Sequence, residues 1–161
     1  MIRKVPDSCF VQMLDVINDA AQSYKGVIPE DRWKEPYMPS EELRKEIEEG
    51  VKFYGYWRGK NLVGVMGIQP LGETTLIRHA YVLTSSQRKG IGKKLLAQLI
   101  RLAGNSKVLV GTWRAAYWAV QFYEKNGFVL LSDFEKDRLL RKYWKIPERQ
   151  IETSVVLELR K

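Results

Sequence analysis

Residues 87–92 read Gln-Arg-Lys-Gly-Ile-Gly and join two segments of different period. Upstream, TLIRHAYVL has the β-branched and aromatic texture of a strand. Downstream, KKLLAQLIRLAG opens a helix from Gly90 to Ala103, with Ile91, Leu95, Leu99 and Leu102 on one stripe. A strand that passes through two glycines into an amphipathic helix commits the chain to an α/β fold. It also puts a helix N-terminus at the loop. Such a terminus presents unpaired amides with partial positive charge, and glycines let a phosphate approach that backbone closely. The segment therefore reads as a pyrophosphate cradle or as an ordinary strand-to-helix turn. It is not a Walker loop, because GxxxxGK[ST] is absent. It is not a dinucleotide fingerprint either: a third glycine would fall at Leu95, and several strands come first.

The remaining elements follow from changes of period. Residues 2–5 suit a short strand, and Pro6-Asp7-Ser8 a helix start. Phe10, Met13, Leu14, Ile17 and Ala21 then recur at helical spacing. Residues 27–39 are irregular, with three prolines. Ser40 caps a charged helix reaching Gly50. Strands are expected at 51–57 and 61–69, joined by Arg58-Gly59-Lys60, and at 74–83. KVLVGTW (107–113) is the continuous apolar run of a buried parallel strand. A helix over 116–126 closes at Gly127, where a left-handed residue is expected. A strand at 128–132, a helix at 134–145 and a last strand at 150–159 complete a mixed α/β sheet with helices on its faces. The final strand offers an edge for a homodimer.

The 161 residues suit a single domain, 1–161. Cys9 and His79 are the only residues of their kinds, which removes disulfide frameworks, cysteine-based metal sites and histidine clusters. No apolar run approaches the ~18 residues of a membrane span, and MIRKVPDS lacks a leader's apolar core, so the protein reads as cytoplasmic. The net charge of +8 suits nucleic acid, an anionic membrane or an anionic ligand. Its densest run, Arg88, Lys89, Lys93 and Lys94, surrounds the glycines.

YVLTSSQRKGIGKKLLAQL resembles the acyl-CoA motif of the GNAT superfamily of N-acetyltransferases, Gln/Arg-x-x-Gly-x-Gly/Ala after a strand ending in Tyr-Val. AVQFYEKNGF (119–128) is similar to a second, later signature of that family. The resemblance spans nearly the whole chain. It implies a mixed, mostly antiparallel central sheet flanked by helices on both faces, with a splayed strand pair holding acetyl-CoA: the strand carrying Tyr81-Val82 bulges and parts from the strand at 107–113. It implies direct acetyl transfer to an amine, with acetyl-CoA as co-substrate and no metal. The cofactor residues it implies are Ala80, Tyr81, Val82, Gln87, Arg88, Lys89, Gly90, Ile91, Gly92 and Lys93. One amide near Ala80 to Val82 would polarise the thioester carbonyl. Positive charge beside a phosphate cradle then needs neither nucleic acid nor a membrane.

Tyr123 occupies the family's general-acid position; its other reading is packing beside Ala116 and Ala119. Phe122, beside Trp118, reads as core. The family's base positions correspond to Leu76 and Arg78, neither of which is a base. His79 lies one residue off, where strand alternation turns it to the opposite face and makes it structural. Ala116 replaces an asparagine that contacts the cofactor in many relatives, and Cys9 reads as buried. The loop 24–38 is expected on the acceptor side. Tyr24, Trp33 and Tyr37 would stack there, Asp31 and Glu35 would pair with an ammonium, and Arg32 and Arg78 with an anionic group. The acceptor is then a small-molecule or peptide amine. The alternative is a non-catalytic acyl-CoA-binding or basic-surface module of the same fold.

Overall fold

The computed structural model describes residues 1–161. One seven-stranded sheet runs through the molecule in the order β1-β2-β3-β4-β5-β7-β6. Its strands are β1 (Ile2–Lys4), β2 (Lys52–Arg58), β3 (Asn61–Leu71), β4 (Thr74–Val82), β5 (Lys107–Trp113), β6 (Phe128–Leu130) and β7 (Ser154–Leu159). Every neighbouring pair is antiparallel except β4–β5. The helices are α1 (Phe10–Ala21), α2 (Ser40–Glu48), α3 (Ile91–Ala103), α4 (Tyr117–Lys125), α5 (Asp133–Tyr143) and α6 (Glu148–Glu152). This is the mixed, mostly antiparallel sheet expected from the sequence.

The strand pattern explains the core. On β4 and β5, Leu76 and Leu109 pack with Leu139 and Leu140 of α5. Their neighbours Ile77, Val108 and Val110 pack with Leu95 and Leu99 of α3. Alternate residues thus feed separate clusters, and a strand buried on both faces must be apolar throughout. α1 and α2 supply Ile17, Ala21 and Leu43 to a third cluster with Phe53, Val65 and Trp113.

Several expectations are corrected. Residues 150–152 are helical, and β7 begins only at Ser154. Pro147 starts that turn with φ −68°, and Ile151 turns into the α5 cluster. β7 lies between β5 and β6, so it offers no free edge to a second copy; the edges are the three-residue strands β1 and β6. Ser40 is the first residue of α2, not its cap. Pro39 holds the cap position and has no side-chain acceptor to offer. Residues 131–132 leave the sheet, and Ser132 caps α5 by accepting from the Glu135 amide. Leu102 is 47 % exposed, and the buried stripe of α3 runs instead through Ile91, Leu95, Leu96, Leu99 and Ala103. Gly127 adopts the left-handed conformation anticipated after α4, with φ +92°.

Candidate active site

Two irregularities open the middle of the sheet. β4 and β5 pair from Thr74–Lys107 to Ile77–Val110 and no further. On its other side β4 pairs Arg78 with Gly67 and Tyr81 with Val65, so Met66 faces both His79 and Ala80. That extra residue is a bulge, which re-aims side chains and raises local twist. His79 carries it with φ +55°, a region that histidine tolerates better than most residues. Gly67 permits the close approach: a Cβ there would stand 2.9 Å from the Arg78 carbonyl oxygen and 2.9 Å from Val51.

On one side of the opening lies a cleft of about 730 Å³ beneath the N-terminus of α3. Ala80, Tyr81, Val82, Gln87, Arg88, Gly90, Ile91, Gly92 and Lys93 line it, together with Trp118, Phe122 and Tyr123. Lys89 lies outside that lining. The loop turns through two left-handed residues, Arg88 at φ +65° and Gly90 at φ +76°. Gln87 Nε2 donates to the Val82 carbonyl at 3.1 Å and ties the loop to β4. The first intrahelical bond of α3 runs from Lys94 to the Gly90 carbonyl, and the preceding amides of the loop find no backbone acceptor. A Cβ on Gly90 would meet nothing within 4 Å, so the space over the loop is open. Unpaired amides at a helix N-terminus under open space form an anion site.

A narrow passage of about 130 Å³ runs from this cleft between β4 and β5. Tyr24, Ala80, Tyr81, Ala119 and Tyr123 belong to both. On the far side the passage meets a cavity of about 810 Å³ beside α2, sharing Tyr37, Arg78, His79 and Trp113 with it. The three spaces thus adjoin one another across the opening in the sheet. Tyr123 stands where cleft and passage join and is only 5 % exposed. Burial, and secondarily Tyr24, push its phenol well above the ordinary range, so it is protonated at neutral pH.

The family model for acetyltransferase (GNAT) domains matches residues 18–140, which contain β2 to β6 and α2 to α4. The chain belongs to the GNAT acetyltransferases. It is an acetyl-CoA-dependent N-acetyltransferase. Solved structures of similar fold agree. The PaiA N-acetyltransferase of Thermoplasma acidophilum, in complex with coenzyme A, superposes with a TM-score of 0.76 at 20% identity, covering 100% of this chain and 98% of that one. A Bacillus subtilis acetyltransferase in complex with CoA gives 0.66 at 25% identity, over 99% and 97%. The ribosomal-protein-S18-alanine N-acetyltransferase of Escherichia coli gives 0.70 at 14% identity, over 99% and 92%.

In this acetyltransferase the residues expected on the acceptor side divide. Tyr24, Tyr37, Arg32 and Arg78 line the passage or the far cavity. Tyr24 and Tyr37 are packed 5.3 Å apart, and the Tyr37 hydroxyl accepts from Trp113 Nε1 at 2.8 Å. Trp33 stacks on Tyr37 from outside, and its Nε1 donates to Glu35. Asp31 and Glu35 are engaged elsewhere, by Arg149 at 3.0 Å and Lys25 at 3.1 Å. Those partners hold both carboxyls below their usual range. Neither acid lines the cavity, so the expected ammonium partners are absent from it.

The expected opposition of Arg78 and His79 is also corrected. The bulge cancels strand alternation, and both residues reach Glu46. Arg78 Nη2 lies 2.7 Å from Oε1 and His79 Nε2 2.7 Å from Oε2. Phe122 is half-buried and packs at the cleft, while Trp118 stacks on Tyr24, 6.1 Å away, and not on Phe122. Cys9 is half-buried against the α1 cluster. Glu46 had drawn no attention in the sequence. Its signal was there: it sits three residues after Leu43, on the one buried face of an otherwise charged helix.

Proposed function

We propose that acetyl-CoA occupies the cleft under α3, and that a small amine bearing a carboxylate or phosphate enters from the cavity beside α2. The observation that carries this reading is the passage through the sheet, which brings the two sites together at Tyr123 and the β4 bulge. The amides and basic side chains of residues 87–93 would hold the pyrophosphate, and a backbone N–H of Ala80 to Val82 the thioester oxygen. The amine nitrogen attacks the acetyl carbon, the C–S bond breaks, and Tyr123 gives its proton to the departing thiolate. Overall, an ammonium and acetyl-CoA yield an amide, free thiol and one proton.

The acceptor class rests on the cavity. A volume of about 810 Å³ is in the range of small-molecule sites. Arg32, Lys34, Lys45, Arg78, Lys142 and Lys145 line it against only Glu42, Glu46 and Glu49, so its field draws anions. Cys9 is unpaired, in keeping with a reducing cytoplasm. Thiol release can be followed with four probe amines: glycine, 2-aminoethyl phosphate, spermidine and a peptide starting in alanine. Faster turnover of the first two is expected. A preference for spermidine or the peptide would overturn the acceptor class.

A further inference from the structure

We infer that Glu46 and His79 work as one proton-accepting unit, in which Glu46 orients the imidazole and His79 takes the proton from the incoming ammonium. This rests on the reading that the amine enters beside α2. The geometry has three parts. His79 lines both the narrow passage and the α2 cavity, so it stands where an amine must pass to reach the thioester. It adjoins Ala80, whose backbone lies at the mouth of the passage. Its Nε2 lies 2.7 Å from Glu46 Oε2, and neither buried atom has any other partner in the chain, which leaves Nδ1 as the ring nitrogen free to act.

Glu46 is itself fixed. It is 9 % exposed, with Oε1 on Arg78 and Oε2 on His79. Arg78 Nη1 donates on to Gln69 Oε1 at 3.1 Å, and Gln69 Nε2 donates to the Glu49 carbonyl at 3.2 Å. α2 is thereby fastened to β3 and β4 through the carboxylate that holds the imidazole. Burial opposes ionisation of Glu46 most strongly. His79, then Arg78, outweigh it and keep the carboxyl below its usual range. A carboxylate on one imidazole nitrogen selects the tautomer with its lone pair on the other and stabilises the imidazolium. Other neighbours add packing: Phe53 and Tyr81 stack on the ring at 6.0 and 6.4 Å. The remaining titratable groups on the walls of the two spaces are Tyr24, Arg32, Lys34, Tyr37, Glu42, Lys45, Glu49, Tyr81, Tyr123, Lys142, Tyr143 and Lys145.

The proton balance is complete. His79 Nδ1 accepts one proton from the ammonium and later passes it to solvent. The attacking nitrogen loses a second proton as the tetrahedral adduct collapses, and that proton restores the one Tyr123 gave to sulfur. No oxidant, metal or further reactant is needed.

His79 is the only histidine in the chain, so a single imidazole resonance reports its titration. The test compares that titration in the whole protein with the pH profile of kcat/KM, using whichever of the four probe amines releases thiol fastest. An acid limb with the same midpoint as the imidazole titration is expected. Glu46→Gln should move limb and titration together, by the same amount. His79→Asn keeps a residue that tolerates positive φ; it should abolish the limb and lower kcat about 10²-fold, with acetyl-CoA affinity retained. A His79→Asn enzyme with full kcat, or a limb that ignores the imidazole titration, would overturn the unit and leave Glu46 as a fastening of α2. A preference for spermidine would instead remove only the anionic acceptor class, since the same comparison then runs with spermidine.

Discussion

At the scale of single residues, burial decides what Tyr123 can do. Its phenol is held well above the ordinary range by burial and by Tyr24, with no hydrogen bond within the chain contributing. It is therefore protonated at neutral pH and has no competing partner within the chain. Thiolates leave readily, so the lower end of the usual range for positioned acids is expected. Tyr123→Phe should lower kcat about 10²-fold, while acetyl-CoA affinity and thermal stability change little. Unchanged kcat, measured where chemistry limits the rate, would reduce Tyr123 to a packing residue against Phe122 and Phe128, whose rings lie 5.1 and 5.5 Å from its own. His79 makes the opposite point. A period-two count along β4 turns it away from Arg78, but one inserted residue puts both side chains on Glu46.

At the scale of elements, the bulge depends on a glycine in the neighbouring strand. A methyl on Gly67 would stand 2.9 Å from a backbone oxygen of β4, which has no flexible end to swing aside. Overpacking of this kind costs about 1–3 kcal/mol, and for a chain of this size each kcal/mol moves Tm by about 2–4 °C. Gly67→Ala should thus lower Tm by roughly 2–12 °C and slow turnover by shifting His79 and Ala80. A melting curve that superimposes on the wild type would show that β3 and β4 separate freely there. Elements were largely legible in the sequence, because long periodic runs such as those of α1, α3, β3 and β5 fix type and face. The strand-to-helix junction at residues 87–92 was legible too, since its glycines and basic residues are contiguous. The bulge was implied only by the family resemblance: nothing in LIRHAY itself marks which residue is inserted, because the need for it arises from pairing with Gly64–Gly67 across the strand. Glu46 was missed for a related reason. Its partners are 32 and 33 positions away in sequence, and only the docking of α2 on the sheet joins them.

At the scale of the whole molecule, the sheet separates two entrances. The cleft beneath α3 and the cavity beside α2 share no wall residue, and the narrow space past Tyr24, Ala80 and His79 shares walls with each. Two ligands approaching from opposite faces do not compete for space, so both can be present when the acetyl group moves. Cys9, the one thiol in the chain, lines none of these spaces and cannot relay the acetyl group. Initial rates with acetyl-CoA and amine varied together should therefore give intersecting double-reciprocal lines. CoA should compete with acetyl-CoA and not with the amine. A set of parallel lines would mean that CoA departs before the amine binds, which requires an acetylated enzyme. It would show that the passage carries the two substrates in turn and does not hold them together.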